Sequence, residues 1–165
     1  QAAIDAWKAP ARTHDAIRAA AESEDIAAQC VLLGVEKLLL VNRTVGKLAL
    51  LVERLRGADS EIIPLAFDDP SLMDHCLACD LIVNTSSVGL NAGDPSILQA
   101  GCLKPEHLVY DTIYQPPVTP LLALAQGKGC RTANGLSMLI HQGALAFQQW
   151  FPGTDPLAVM RAALE

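Results

Sequence analysis

The residues best suited to chemistry stand at the ends of apolar runs. Leu38-Leu39-Leu40-Val41 empties into Asn42-Arg43-Thr44. Arg43 offers a planar, permanently charged fork that matches phosphate oxygens; a plain surface arginine at a strand end is the alternative. Leu81-Ile82-Val83-Asn84 runs into Thr85-Ser86-Ser87-Val88-Gly89-Leu90-Asn91-Ala92-Gly93. That polar, glycine-containing loop has the composition for close approach to a ligand, or for an ordinary connection. Leu108-Val109-Tyr110-Asp111 ends in a carboxylate, and Pro116, Pro117 and Pro120 force extended or turn geometry on the loop beyond it. Cys76-Leu77-Ala78-Cys79 is formally a C-x-x-C pair. It lacks a second pair and a strand-turn-helix context, so buried free thiols are expected rather than a redox or zinc site.

These groups need elements to hold them. Apolar runs without alternation read as strands buried on both faces, the pattern of a parallel sheet. Strands are expected over residues 35–42, 61–65, 80–84, 108–111 and 130–133. Helical spacing fills the gaps. A helix is expected from Thr13, broken near Ser23, with Ser23 or Asp25 as cap and Gly34 as stop. The next is capped by Thr44 and runs through Leu48, Leu51, Val52 and Leu55 to Gly57. Others start at Asp69-Pro70, over residues 96–100 as a turn or two, over 121–126, and over 136–150. In the last of these, Met138, Gln142 and Leu145 share a stripe beside an apolar face of Leu136, Leu139, Ile140, Gly143 and Phe147. Leu157, Met160 and Leu164 give a final amphipathic helix with no evident partner. Alternating strand and helix with short links implies a mostly parallel, doubly wound α/β sheet. Its strand ends, at Asn42, Asn84 and Asp111, are expected to line one crevice, where such sheets hold ligands.

Composition narrows the function classes. The chain has 165 residues, enough for one domain with attached helices, and a net charge of −6 that offers nothing for bulk nucleic-acid binding. Apolar residues make up 51% but aromatics only 4%, so the core is expected to be aliphatic. No run reaches a membrane span and no secretory signal is visible. Five irregularly spaced cysteines suit a reducing compartment, hence an expected cytoplasmic location with no nucleic-acid, membrane or metal partner.

Taken together, four segments resemble the carboxyl-terminal, nucleotide-binding domain of the shikimate dehydrogenase family, which includes quinate/shikimate dehydrogenases. They are Val41-Asn42-Arg43-Thr44; residues 80–89; Tyr110-Asp111-Thr112-Ile113-Tyr114-Gln115-Pro116 followed by Thr119-Pro120-Leu121-Leu122; and Asn134-Gly135-Leu136-Ser137-Met138-Leu139 with Gln142. Order and spacing agree over roughly residues 30–164. The resemblance implies a Rossmann-like fold and hydride transfer that interconverts 3-dehydroshikimate and shikimate with NADP, with quinate or NAD used by some members. It implies that Arg43 grips the 2'-phosphate, with Asn42 and Thr44 beside the adenine ribose and Lys47 adding charge. It places Asn84, Thr85 and Ser86 along the nicotinamide side, Gly135 and Met138 near the nicotinamide, and Tyr114 and Gln142 toward the substrate. Asp111 is expected to hold its loop rather than react.

Two departures stand beside this likeness. The family's glycine turn and the first strand before it are not recognisable: residues 19–25 read Ala19-Ala20-Ala21-Glu22-Ser23-Glu24-Asp25, without glycine and with three carboxylates that would repel a pyrophosphate. Since that strand is central in a doubly wound sheet, its loss would leave a hole. Three explanations are open: a divergent segment that fills the same space, a sequence that skips residues, or a relative that no longer binds dinucleotide. The intact later motifs favour the second. Nor do these residues match the family's amino-terminal substrate domain with its catalytic Lys/Asp pair, so no catalytic residue is assigned. The expected layout is a helical segment over 1–22, a dinucleotide-binding-like domain over 23–153, and a terminal helix over 154–165 that packs on an absent substrate domain. A non-catalytic dinucleotide-binding or protein-partner module is the alternative function.

Overall fold

Strand and helix alternate throughout the computed structural model, which describes residues 26–57 and 59–164. In chain order these are α1 (Ile26–Leu32), β1 (Lys37–Asn42), α2 (Leu48–Arg54), β2 (Glu61–Ala66), α3 (Leu72–Ala78), β3 (Leu81–Asn84), β4 (Leu108–Asp111), α4 (Pro120–Gly127), β5 (Arg131–Asn134), α5 (Leu136–Trp150) and α6 (Leu157–Leu164). All strand pairings are parallel. The fold is α/β and Rossmann-like.

The sheet is divided. β1 pairs with β2, while β3, β4 and β5 form a separate ladder in that order. Among the described residues, the second edge of β1 and that of β3 have no strand partner. The stretch where a central first strand is expected lies outside the described residues. The helix and caps expected over residues 13–25 lie outside them too.

Apolar packing joins what hydrogen bonding does not. Leu39 and Val41 of β1 meet Leu72 and Cys76 of α3 together with Leu98 and Cys102 from the β3–β4 connection. On the other side, α1 and α2 cover β1 and β2 through Ala27, Ala28, Val31, Leu48, Leu51 and Leu55. The largest cluster sets Leu121, Leu122 and Ala125 of α4 against Val109, with Leu103 and Cys130. All four residues of β4 are buried, which is why this run is apolar without alternation up to its final carboxylate. Fully burying each such aliphatic side chain contributes about 1.5–3 kcal/mol.

Several local expectations are corrected. Thr44 makes no side-chain cap; it precedes a 3-10 turn (Val45–Lys47), and the α-helix starts only at Leu48. Before it, Asn42 Oδ1 accepts from the Thr44 N–H at 3.0 Å and closes a tight polar turn at the strand end. At Asp69-Pro70 the Asp69 carboxylate accepts from the N–H (2.8 Å) and hydroxyl (2.6 Å) of Ser71, as a helix cap does, and the α-helical residues of α3 begin slightly later than expected, at Leu72. Residues 96–99 are not helical; a short 3-10 turn spans Ala100–Cys102. The buried stripe of α5 is Ser137, Ile140 and Ala144, three and four apart, rather than the face centred on Leu136 and Leu139. Helix α6 does have a partner in the chain: it packs on α5, with Met160 against Gly143.

The cysteines are free thiols. Burial, followed by the Cys102 and Cys79 thiols, pushes Cys76 up to about 12. Burial, followed by the Asp80 charge, also raises Cys79. Neither is a reactive thiolate near neutral pH. No helix among the described residues is long and apolar enough to cross a membrane.

His107, just before β4, is fully buried. Its Nδ1 accepts from the Lys104 N–H at 3.3 Å, and its Nε2 has no well-formed hydrogen bond. Burial, then the Lys104 charge, holds its pKa below the usual imidazole value; the Cys76 carbonyl, Glu106 and Asp80 pull the other way without offsetting them. The unfolded chain therefore binds this proton more readily. Stability is complete above the unfolded value of about 6.5 and declines as pH falls through it toward the folded pKa. Urea unfolding between pH 8 and 5.5 is expected to show this decline, by up to about 1.4 kcal/mol per pH unit. His107→Asn is expected to flatten it; an unchanged slope in the variant would assign the decline to other groups.

Candidate functional site

The carboxyl ends of β3, β4 and β5 are drawn together by one buried polar network. Asp111, fully buried at the end of β4, accepts from Asn84 Nδ2 (3.1 Å), the Ile113 N–H (3.1 Å) and Thr119 Oγ1 (2.7 Å). Asn84 Nδ2 also donates to the Val88 carbonyl at 3.2 Å, and its Oδ1 accepts from the Ser86 N–H (3.0 Å) and hydroxyl (2.8 Å). The Thr112 N–H and hydroxyl both donate to the Asn84 carbonyl at 3.0 Å. One carboxylate thus ties the residue 85–89 loop to the loop after β4 and to the start of α4.

Thr119 has two roles there. Its hydroxyl donates to Asp111 and accepts from the Leu122 N–H at 3.3 Å, so it also caps α4 with Pro120 in the first turn. The Thr-Pro-Leu-Leu pattern is the sequence signal for this cap, and the expected helix start at residue 121 passes over it. Gly89 sits against this corner at φ +108°; an added Cβ would come within 3.3 Å of the Thr119 Cβ.

The end of β5 closes onto the same place. The Gly135 N–H donates to the Ile113 carbonyl at 3.2 Å, and a Cβ on Gly135 would lie 1.9 Å from the Thr112 carbonyl oxygen. Asn134 Nδ2 donates to the Pro117 carbonyl (3.0 Å) while its Oδ1 accepts from the Leu136 N–H (3.2 Å). The Gln115–Pro116 peptide in the intervening loop is cis.

The residues selected from sequence divide into two sets. Asn84 is buried with its side chain wholly engaged inside the protein, and Gly135 is buried by the Thr112 backbone. Ser86 and Met138 are half-buried, while Thr85, Tyr114 and Gln142 are exposed. Tyr114 stands on the loop that Asp111 anchors, and Gln142 lies two turns into α5. The second set belongs to β1. Asn42 is half-buried at its tip; Arg43, Thr44 and Lys47 are exposed beyond it. Arg43 makes no ion pair with another described residue. A cationic fork at the carboxyl end of a parallel strand, with a second cation four residues on, is free to meet an anion. Their charge and exposure suit a phosphate-bearing ligand. The residue 19–25 stretch, where the glycine turn is expected, lies outside the described residues.

Comparison with known proteins agrees with this arrangement. The family profile "Shikimate 5'-dehydrogenase C-terminal domain" matches residues 135–165. A shikimate dehydrogenase (NADP(+)) of Citrifermentans bemidjiense is 46% identical over 114 residues, covering 68% of this chain and 38% of the relative. One from Nitrobacter hamburgensis is 35% identical over 169 residues, 99% of this chain and 56% of the relative. The chain therefore spans about half the length of the curated relatives it matches. Among solved structures, shikimate 5-dehydrogenase from Listeria monocytogenes, in complex with shikimate and NAD, superposes with a TM-score of 0.77 at 28% identity, over 85% of this chain and 51% of that one. Quinate dehydrogenase from Corynebacterium glutamicum, in complex with NAD, gives 0.71 at 29% identity, over 84% and 49%. By motifs, fold and these similarities, the chain belongs to the shikimate/quinate dehydrogenase family and corresponds to the carboxyl-terminal part of its members.

Proposed function

We propose that this chain is the cofactor-binding part of an oxidoreductase that interconverts 3-dehydroshikimate and shikimate, with NADP as its dinucleotide. The observation that carries this reading is Arg43, exposed beyond β1 without a described ion-pair partner and followed by Lys47. Relatives are named for NADP(+), and solved neighbours hold NAD in some cases and NADP in others. The choice between them rests on these two cations. When bound, the dinucleotide supplies the hydride.

The chain's own residues orient and bind. Arg43 and Lys47 hold the 2'-phosphate, with Asn42 and Thr44 beside the adenine ribose. Thr85 offers its exposed hydroxyl on the nicotinamide side, and Ser86, whose N–H and hydroxyl donate to Asn84, shapes the loop there and keeps only acceptor capacity for the cofactor. Asn84 supports them from beneath, since its side chain is occupied by Asp111, Val88 and Ser86. Gly135 and Met138 border the nicotinamide, while Tyr114 and Gln142 face shikimate, 3-dehydroshikimate or quinate. Proton transfer belongs to an amino-terminal substrate domain such as the family carries. Five free thiols suit a cytoplasmic setting. The glycine-free, acidic residue 19–25 stretch favours the second reading, a module of the same family that partners another protein without catalysis.

Arg43→Ala is expected to weaken NADPH binding about 10–30-fold, on the scale of one lost charge-assisted bidentate contact, with NADH nearly unaffected. Titration by cofactor fluorescence reads both. Equal weakening of the two cofactors would refute the phosphate role.

A further inference from the structure

The register of β1 and β2 brings a carboxylate to the same edge as Arg43. Asn42 and Ala66 are the last paired residues of the two parallel strands. Asp68 follows Ala66 by two positions, as Thr44 follows Asn42, in a turn that the Asp69 N–H closes onto the Ala66 carbonyl at 3.3 Å, so both residues stand just beyond the carboxyl ends of neighbouring strands. Neighbouring strands lie about 4.8 Å apart, and the 3-10 turn carrying Lys47 packs against β2 as well as β1. Two aspartates follow β2, and they differ. Asp69 is half-buried and held by the Ser71 N–H and hydroxyl, which keep its pKa below the usual carboxylate value. Asp68 is exposed and has no hydrogen bond or ion pair with another described residue.

We infer that Asp68 is a specificity-determining residue, an acidic counterweight that limits how strongly the Arg43 edge prefers a 2'-phosphorylated dinucleotide over an unphosphorylated one. The inference rests on the reading of Arg43 as the phosphate grip. A 2'-phosphate brings about two negative charges to this edge, and a carboxylate within a Debye length of about 8–10 Å opposes it. An unphosphorylated ribose brings none. The carboxylate therefore acts on the ratio of the two affinities, leaving the shared adenine and ribose contacts alone. The effect is electrostatic and must fade with salt.

The test is Asp68→Asn in the full chain, titrated with NADPH and NADH by cofactor fluorescence at low and high ionic strength, beside Arg43→Ala and Asp69→Asn. The expected result is roughly threefold tighter NADPH binding at low salt, unchanged NADH, and loss of the difference near 1 M salt, where the Debye length is about 3 Å. Asp69→Asn, which removes a charge one residue farther along the chain, is expected to give a smaller shift with the same salt dependence; a larger shift than that of Asp68→Asn would move the counterweight to Asp69 and overturn the assignment. If Arg43→Ala lowers NADPH affinity selectively while Asp68→Asn leaves the ratio unmoved, the counterweight is overturned and the Arg43 reading stands. A ratio that shifts equally at low and high salt also overturns it. Wild-type chain that binds neither cofactor would defeat both.

Discussion

Gly135→Ala is expected to cost about 4 kcal/mol of stability, at the upper end of what single substitutions do. Its backbone φ of −71° suits any residue, so conformational strain is not the reason. The new methyl carbon would stand 1.9 Å from the Thr112 carbonyl oxygen and 2.6 Å from its carbonyl carbon. Both are backbone atoms, and neither can swing aside like a side chain. Relief requires β5 and the start of α5 to move away from the loop after β4. That breaks the 3.2 Å bond from the Gly135 N–H to the Ile113 carbonyl, and it displaces Met138 relative to Tyr114. Urea denaturation measures the loss; a cost below about 1 kcal/mol would show that the two backbones separate easily and do not clamp this corner.

Asp111→Ala is expected to cost about 3–4 kcal/mol, within the range for breaking a buried hydrogen-bond network. The carboxylate is fully buried and accepts three hydrogen bonds, from Asn84 Nδ2, the Ile113 N–H and Thr119 Oγ1. Removing it strands these donors in a dry site, and each stranded donor carries a desolvation penalty of about 1–3 kcal/mol, partly relieved by rearrangement. Asp111→Asn keeps the volume and one acceptor, so it is expected to cost less, about 1–2 kcal/mol. Comparing the two by urea denaturation separates lost volume from lost acceptors. Equal costs would show that keeping the volume does not help and would assign the effect to the lost acceptor facing Thr119 rather than to packing.

Both large effects arise in contacts that sequence order hides. Asp111 is legible as a polar strand end expected to hold its loop, but its partners lie 27 residues before it and 8 after it. No local pattern says that Asn84 must meet it. Gly135 carries an expected role beside the nicotinamide, and the structure adds the backbone of Thr112 pressed against it. By contrast, β4 and α5 fall where the patterns of residues 108–111 and 136–150 predict them, because a continuous apolar run and an Asn-Gly stop are local signals. The start of α2 is misplaced from sequence because Thr44 looks like a cap, while the Asn42 side chain folds onto the Thr44 N–H and the chain passes through a 3-10 turn before the α-helix begins. Which local backbone group a short polar side chain takes is decided by geometry, which composition does not carry.

The amino-terminal stretch is where local signals are weakest. Residues 19–25 lack the glycines and residues 12–18 lack the apolar run of a buried strand. Among the described residues β1 and β3 each keep an unpaired edge. Among these residues, the apolar cluster of Leu39, Val41, Leu72, Cys76, Leu98 and Cys102 links the β1 side to the β3–β4 connection.

Direct titration of the chain with NADPH and NADH, followed by cofactor fluorescence at low ionic strength, tests the central claim. The expected result is saturable binding of NADPH, tighter than that of NADH, without turnover of shikimate by these residues alone. Binding of neither cofactor by folded protein would contradict it and leave the non-catalytic module as the reading of this chain.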